Sequence, residues 1–193
     1  LRSQDMSHVT ATQLCRPAEG VAASGGLVYV TFGTVWNDVD AGFHAAVQAA
    51  ASLADEVLVT VGPTGDPASL GTVPANVVVE RYVPQAEVLP RSAAVVCHGG
   101  SGTVLASLAH GVPLVSLPRG ADQFANAANL ERVGAGVTVS GSDAADVPAQ
   151  AQALRTVLGG SGPKEAAAAL GREIAAMPPA GATADAIEAQ GSG

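Results

Sequence analysis

Residues 93–118 read AAVVCHGGSGTVLASLAHGVPLVSLP, and this stretch decides the fold. An apolar run over 93–97 leads into a glycine-rich loop, a helical pattern covers 104–109, and a second apolar run occupies 113–117. Short apolar runs separated by helices are typical of parallel strands that are covered on both faces. The stretch therefore predicts one β-α-β unit of a parallel sheet.

The same alternation continues on both sides of this unit. Four further short runs that are rich in apolar residues lie at 27–32, 56–61, 77–82 and 136–139. We therefore predict an α/β fold, a Rossmann-like doubly wound parallel sheet of about six strands. In such a sheet, ligands bind beyond the carboxyl ends of the strands, in the loops that lead into helices.

Helical patterns fill the spaces between and after the strands. Between the first two strands, one face of an amphipathic helix carries Phe43, Val47 and Ala50. Two later helices are predicted where Asp146 can act as an N-cap and where Pro163 can open a first turn. A last short helix is predicted over 182–190.

The length of 193 residues favours one domain of ordinary size. Residues 1–26 have no sustained apolar period and are interpreted as a leader or interdomain segment. The domain itself is predicted over 27–190, and 191–193 (Gly-Ser-Gly) as a flexible tail.

Charge and composition exclude several classes of function. Nine Lys plus Arg against seventeen Asp plus Glu give a net charge of −8, the wrong sign for nonspecific binding to nucleic acid. Cys15 and Cys97 are too isolated for a disulfide framework or a zinc site. No long apolar run or signal peptide is visible, so we expect a cytoplasmic protein with no membrane partner. An anionic ligand would have to be bound locally, by backbone amides and a helix N-terminus.

The loop after the fourth strand carries the strongest local signal for a ligand. It reads His98-Gly99-Gly100-Ser101-Gly102-Thr103 and leads into a helix, so its amides and hydroxyls form a concave set of donors for a phosphate or diphosphate. The spacing is neither GxGxxG nor a Walker motif. His98 is either a phosphate contact or a structural residue, and a catalytic-base role is the less favoured interpretation.

Three other strand ends carry groups that would suit a nucleotide sugar. Gly33-Thr34 offers a turn with a hydroxyl, or simply a turn. Tyr82 could stack on a planar base, or it could close the core with Pro84 at the first helical position. Asp122 and Gln123 could bind sugar hydroxyls, although Asp122 could equally be only an N-cap.

Taken together, five motifs resemble the donor-binding signature of family 1 glycosyltransferases. They are FGT at 32–34, RYVPQ at 81–85, HGGSGT at 98–103, HGVPLVSLP at 110–118 and ADQFANA at 121–127. The resemblance covers about residues 27–139 and is greatest to the bacterial enzymes that attach deoxysugars to antibiotics. It implies the C-terminal half of a GT-B fold, which binds the nucleotide sugar, whereas a separate first half binds a small-molecule acceptor.

The resemblance also implies a role for each motif residue. Tyr82 stacks on the base, the backbone at Val83 binds the base edge, and Gln85 lies near the ribose. The diphosphate is bound by Thr34 with His98, Gly100, Ser101, Gly102 and Thr103, while Asp122 and Gln123 face the sugar. The implied ligand is a TDP-sugar or a UDP-sugar, with no metal and no other cofactor.

Two departures from the family pattern refine this interpretation. Many plant members carry a ribose-binding Glu eight residues after the loop His, where this chain has Ala106. This favours a thymidine diphosphate deoxysugar over a uridine diphosphate sugar. The family's catalytic His and its Asp partner belong to the acceptor half, and His8 is not a convincing substitute, so no catalytic residue is predicted.

Three functions remain open at this point. The first is the donor-binding half of an inverting glycosyltransferase, which would be inactive without its acceptor half. The second is a stand-alone nucleotide-binding module or partner subunit. The third is a GT-B relative such as a lipid-linked N-acetylglucosaminyltransferase or a sugar epimerase, although no basic and apolar face is visible in the sequence.

Overall fold

A computed structural model describes residues 26–33 and 39–177. Thr34, nearly all of the predicted leader, the predicted helix over 182–190 and the predicted tail lie outside the described residues. The predictions made for them stay predictions.

The six predicted strands are present in one sheet. They are β1 Leu27–Thr31, β2 Glu56–Thr60, β3 Val77–Glu80, β4 Ser92–Cys97, β5 Leu114–Ser116 and β6 Gly136–Thr138. Their spatial order is β3-β2-β1-β4-β5-β6, and every neighbouring pair is parallel. The predicted doubly wound parallel sheet is confirmed.

Among the strands, the largest boundary difference is at β3, which was expected to reach Tyr82. The strand stops at Glu80 because its partner β2 stops at Thr60, which is in register with Glu80. Arg81 and Tyr82 therefore lie outside the sheet, in the loop that follows the carboxyl end of β3.

Within the described residues, six α-helices flank the sheet. They are α1 Ala41–Ala51, α2 Gln85–Val88, α3 Ser101–Ala109, α4 Gln123–Arg132, α5 Val147–Gly159 and α6 Ser161–Ala176. The predicted N-cap is confirmed, since Oδ2 of Asp146 accepts a hydrogen bond of 2.9 Å from the amide of Ala149. Pro163 lies inside the first turn of α6, where its missing N–H removes no helical hydrogen bond.

Alternation along the strands divides the core into two layers. Val28 and Val30 of β1 face α1 and α5, where they join a cluster with Phe43 and Leu154. Leu27 and Tyr29 of the same strand face the other way, into a cluster with residues of α3, α4 and α6, including Val104, Leu108, Leu130 and Ala167. Both faces of the sheet are therefore covered, which explains why the strands read as nearly continuous apolar runs.

The sheet reverses its order beside β1. Strands β2 and β3 extend from one edge of β1, whereas β4, β5 and β6 extend from the other. Connections that leave β1 and β4 therefore diverge, and a crevice opens at their carboxyl ends, the usual ligand position in open α/β sheets.

Candidate functional site

A pocket of about 600 Å³ occupies this crevice. Its walls come from the carboxyl ends of β1 and β2 and from the loops that follow β3, β4 and β5. All the predicted site residues within the described chain line it: Tyr82, Val83, Gln85, His98, Gly100, Ser101, Gly102, Thr103, Asp122 and Gln123. Five distant segments of sequence thus meet at one place; the sequence predicted four of them, and the end of β2 was not among them.

The N-terminus of α3 forms one wall of the pocket. Its N-cap is Gly100, which has no side chain to satisfy the first amides, and the first helical hydrogen bond runs from the amide of Val104 to the oxygen of Gly100. The amides of residues 101–103 therefore have no partner within the helix. They carry the positive end of the helix dipole into the pocket, which is the arrangement that binds a phosphate group.

Contacts with β5 and α4 fix the conformation of the glycine loop, residues 98–103. Gly99 has φ 84°, and a Cβ atom on it would lie 2.6 Å from Oγ of Ser116 at the end of β5. The amide of Asn126 in α4 donates a hydrogen bond of 2.9 Å to the oxygen of Gly99. Only glycine fits this position, because both the positive φ and the close approach to β5 exclude a side chain.

His98 is wedged between two glycines. A Cβ atom on Gly33 would lie 2.7 Å from Cε1 of its ring, and one on Gly100 would lie 2.5 Å from Nε2. Its Nδ1 atom is buried and has no hydrogen-bond partner among the described residues. Burial lowers the pKa of His98 below its usual value, and the charge of Arg119 lowers it further, whereas Asp122 raises it. The imidazole is therefore neutral at pH 7 and can respond to an added anion.

Asp122 does not act as a side-chain N-cap, so that alternative is wrong. It occupies the N-cap position of α4 without a capping hydrogen bond. Instead its Oδ2 accepts from Oγ of Ser101 at 2.6 Å and from Nδ2 of Asn126 at 3.0 Å. These bonds, that of Ser101 foremost, lower the pKa of the exposed carboxyl. The Ser101 hydroxyl is committed to Asp122, so Ser101 offers a ligand its amide.

Gln123 shapes the loop that carries Asp122. It is buried, and its Oε1 accepts from the amides of Arg119 at 2.8 Å and Gly120 at 3.1 Å. Ala121 lies in the loop between Gly120 and Gln123 and lines the pocket. Its φ angle is 53°, a value that non-glycine residues seldom adopt. The amide nitrogen of Gln123 is the group that remains for a ligand.

The loop after β3 presents an aromatic ring at the pocket rim. Tyr82 is 46% exposed, so the alternative that it closes the core is wrong. Val83 is buried, and a ligand can reach only its backbone. Pro84 is the N-cap of α2 rather than its first residue. Next to it, Nε2 of Gln85 donates a hydrogen bond of 3.2 Å to Oγ1 of Thr103 in α3.

Sequence reasoning missed the residues at the base of the pocket. Tyr29, Thr31 and Thr60 line it together with Gly62 and Arg81. The Tyr29 hydroxyl lies 2.9 Å from Oγ1 of Thr60, which in turn donates a hydrogen bond of 2.9 Å to Oγ1 of Thr31. The available signal was the presence of polar residues at alternate positions of an otherwise apolar β1.

Arg119 was also missed, although it is close to His98. Its guanidinium lies 4.3 Å from the centre of the Phe32 ring, and its Nη2 lies 2.8 Å from Oδ1 of Asp40, the N-cap of α1. These two contacts fix the cation where its charge acts on the imidazole of His98.

Over residues 26–33 and 39–177, no three His, Cys, Asp or Glu side chains are grouped as a metal site would require. Within the same ranges, no helix is long and apolar enough to cross a membrane. Burial raises the pKa of the Cys97 thiol to about 12, so this side chain is not a nucleophile at neutral pH.

Comparison with known proteins identifies the family. The model of the erythromycin biosynthesis protein CIII-like C-terminal domain matches residues 44–189. The chain belongs to this family. The EryCIII-like match includes the glycine loop, the Tyr82 loop and the Asp122 loop, so the resemblance to family 1 GT-B glycosyltransferases is confirmed.

The curated relatives of this EryCIII-like domain include enzymes named for natural products. A 4'-demethylrebeccamycin synthase of Lentzea aerocolonigenes is 45% identical over 111 residues, which are 58% of this chain and 26% of the relative. A demethyllactenocin mycarosyltransferase of Streptomyces fradiae is 36% identical over 110 residues, 57% of this chain and 24% of the relative. The matched segment thus spans about a quarter of each relative.

Solved structures resemble the EryCIII-like domain over a larger share of the chain. The calicheamicin glycosyltransferase CalG4 matches with a TM-score of 0.79 and 27% identity, covering 93% of this chain and 46% of CalG4. The spinosyn rhamnosyltransferase SpnG, solved in complex with thymidine diphosphate, matches with a TM-score of 0.77 and 32% identity, covering 86% of this chain and 46% of SpnG. The chain spans less than half of each glycosyltransferase.

Proposed function

We propose that this domain binds the nucleotide sugar of an inverting glycosyltransferase, which transfers a deoxysugar from a thymidine diphosphate donor to a hydroxyl of a small-molecule acceptor. The observation that carries the proposal is the pocket at the N-terminus of α3, where the open amides of 101–103 and the exposed ring of Tyr82 face one cavity. A nucleoside diphosphate has both of the groups that such a cavity would bind.

The diphosphate fits the helix N-terminus. Open amides and the helix dipole offer hydrogen bonds and partial positive charge in a chain whose net charge is −8. As the bond to the sugar breaks, negative charge grows on the leaving diphosphate. Donors already aimed at that position stabilise this charge without having to reorganise, which lowers the barrier to transfer.

The base and the sugar fit the two sides of the same pocket. Tyr82 offers an aromatic surface for stacking, which is worth about 1–3 kcal/mol per base in other nucleotide sites. Asp122 offers carboxylate oxygens and Gln123 an amide on the opposite side, where sugar hydroxyls can donate and accept. Ala106 leaves no carboxylate for a ribose 2'-hydroxyl, and SpnG was solved with thymidine diphosphate. Both support the thymidine donor.

Isothermal titration of the 193-residue chain with thymidine diphosphate and uridine diphosphate tests the proposal. We expect tighter binding of the thymidine form. Tyr82→Ala should weaken it by roughly tenfold or more, given a stacking loss of about 1–3 kcal/mol. Ser92→Ala is the control, because Ser92 begins β4 at the opposite end of the strands and its hydroxyl donates a hydrogen bond to the oxygen of Val88, away from the pocket. Binding of neither nucleotide would contradict the proposal.

Transfer itself requires an acceptor site and a base, which we place in the acceptor half of the complete enzyme. Nucleotide binding without turnover by the chain alone, together with turnover by a complete enzyme that contains this domain, is the expected pair of results. Turnover by the chain alone on a simple acceptor would contradict this division of roles. If no protein that combines this domain with an acceptor half showed turnover, the result would instead favour the interpretation of the domain as a pure binding module.

A further inference from the structure

Asn126 connects the glycine loop with the carboxylate of Asp122. It lies on α4, four residues after the N-cap residue Asp122, so the two side chains share one face of the helix. Its Nδ2 atom donates to the oxygen of Gly99 at 2.9 Å and to Oδ2 of Asp122 at 3.0 Å. The same atom lies 3.1 Å from Oγ of Ser101. One amide group therefore contacts two loops that are distant in sequence.

The orientation of the Asn126 amide follows from its partners. The carbonyl oxygen of Gly99 and the carboxylate of Asp122 can only accept hydrogen bonds. If the amide were turned over, its oxygen would face both of them and both bonds would be lost. Nδ2 must therefore face the glycine loop, with one proton for Gly99 and the other for the pair of Asp122 and Ser101.

Asp122 uses one of its two carboxylate oxygens in these contacts. Oδ2 accepts from Nδ2 of Asn126 and also from Oγ of Ser101, which donates at 2.6 Å. Oδ1 has no side-chain partner in the described part of the chain, and Asp122 lines the pocket. An ionised carboxylate accepts and cannot donate, so Oδ1 suits a ligand hydroxyl and repels a phosphate oxygen.

Among the residues that meet at Oδ2, Asn126 is the best anchored. Asp122 and Ser101 are both exposed, so water competes for the hydrogen bond between them. Asn126 is half-buried, and its bond to the oxygen of Gly99 is partly shielded from solvent, where a hydrogen bond is stronger. Gly99 in turn is fixed by its close approach to Ser116 of β5. The exposed carboxylate thus depends on Asn126 for a connection to the rigid part of the site.

We propose that Asn126 is a positioning residue, which fixes the Asp122 carboxylate against the glycine loop so that Oδ1 accepts a proton from a hydroxyl of the donor sugar. The inference rests on the proposed function, in which Asp122 faces the sugar. It assigns a role to a side chain that is not among those lining the pocket. Because the same amide also holds the oxygen of Gly99, it links the sugar contact to the loop that faces the diphosphate.

Isothermal titration with thymidine diphosphate and with thymidine diphosphate glucose tests the inference. Glucose keeps every hydroxyl that a deoxysugar can lack, so the probe includes any hydroxyl that Asp122 binds. The measured preference is the dissociation constant of thymidine diphosphate divided by that of thymidine diphosphate glucose. Asp122→Ala should lower this preference by about tenfold or more, as expected for one hydrogen bond to a charged group. Asn126→Ala should lower it by about threefold to tenfold, because the carboxylate is present but held by Ser101 alone.

The preference separates positioning from general damage to the fold. A purely structural loss would weaken the binding of both ligands equally and would leave the preference unchanged. In an Asp122→Ala background, Asn126→Ala should not change the preference, since no carboxylate is left to orient. Asn129→Ala is the matched control on the same helix. Asn129 is exposed and accepts a hydrogen bond of 3.4 Å from Nη2 of Arg132, so its loss should leave the preference within about twofold of the native value.

A second variant tests the same carboxylate if Asn126→Ala folds poorly. Ser101→Ala removes the other donor to Oδ2 and should lower the preference in the same direction. An unchanged preference in Asn126→Ala or in Asp122→Ala, an equal loss in Asn129→Ala, or a further loss in the Asp122→Ala background would overturn the inference. Failure of the native chain to bind either ligand would overturn the proposed function instead.

Discussion

At the scale of single residues, Gly102 is a position of the site where the lack of a side chain matters. It is the second residue of α3 and lines the pocket, and a Cβ atom there would meet no protein atom within 4 Å. Glycine lowers helix stability by roughly 0.5–1 kcal/mol relative to alanine. Gly102 therefore leaves open space on the side of the pocket.

Gly102→Ala should raise the free energy of unfolding by up to about 1 kcal/mol and weaken thymidine diphosphate binding at least tenfold. The methyl group would favour the helix and occupy the space of the diphosphate. Urea unfolding and isothermal titration measure the two effects. Gly162→Ala is the matched control, since Gly162 is the second residue of α6 and also has open space around it. Equal losses of affinity in both variants would refute the prediction.

His98 should report the arrival of the diphosphate. In the free protein its pKa lies below 6.5, because burial and the nearby Arg119 disfavour the imidazolium. A bound anion favours the charged form, so the pKa should rise on binding. By linkage, affinity for a nucleotide sugar then increases as the pH falls towards the free-state pKa, and it is constant well above the bound-state pKa.

Nuclear magnetic resonance of the histidine rings with and without thymidine diphosphate glucose checks this prediction. This ligand avoids the terminal phosphate ionisation of a free diphosphate. The exposed His44 of α1 is the internal control, since its ring signals should not respond to the nucleotide. An imidazole of His98 that titrates identically in both states would show that the anion binds elsewhere.

At the scale of single residues, prediction from the sequence succeeded for some pocket residues and failed for others. Every predicted site residue in the described chain lines the pocket, because strand-end loops in a parallel sheet converge on one edge. Tyr29 and Thr60 could not be found in this way, since they lie within strands that read as ordinary core. Only the register of β1 with β2, which places Thr31 beside Thr60, brings their hydroxyls together.

At the scale of the helix, Asp40 has two roles, since it caps α1 and forms an ion pair with Arg119. Its Oδ1 caps α1 by accepting from the amide of Phe43 at 2.9 Å, and the same atom lies 2.8 Å from Nη2 of Arg119. The cap satisfies a helix amide, whereas the ion pair is partly open to solvent, with Asp40 52% exposed. The cap should therefore dominate its contribution to stability.

Asp40→Ala should lower the free energy of unfolding by about 1 kcal/mol, while Asp40→Asn should change it by less than about 0.5 kcal/mol. Asparagine keeps the capping oxygen and removes only the charge. Urea unfolding measures both. Asp146→Ala provides the comparison, because Asp146 caps α5 through Ala149 and should give a loss similar to that of Asp40→Ala. A larger loss in Asp40→Asn than in Asp146→Ala would mean that the ion pair matters more than the cap.

Element boundaries were predictable wherever the chain marks them chemically. Asp146 marks the start of α5 as its N-cap, and valine-rich runs mark the strands. The end of β3 was not marked, because Arg81 and Tyr82 continue a pattern that would suit a strand. Their release depends on the length of β2, a property of another segment of the chain.

At the scale of the whole molecule, the ligand should stabilise the fold. The pocket joins segments from β1 to the start of α4, so unfolding of any of them destroys it. A ligand at one hundred times its dissociation constant adds about 2.7 kcal/mol, which should raise the melting temperature by roughly 5–10 °C. Differential scanning calorimetry with thymidine diphosphate checks this. No shift at saturation would mean that the nucleotide also binds the unfolded chain, or does not bind.

The position of β1 has a consequence for how the chain folds. It is the first strand of this sheet in chain order, yet it pairs with β2 on one side and with β4 on the other, where Val28 lies beside Ala94. One edge of β1 stays unpaired until the glycine loop has almost emerged from the ribosome. Contacts between such distant residues slow folding and leave an apolar edge open to other chains. Burial of this edge and formation of the pocket wall at the glycine loop therefore depend on the same segment of the chain, β4 and the loop that follows it.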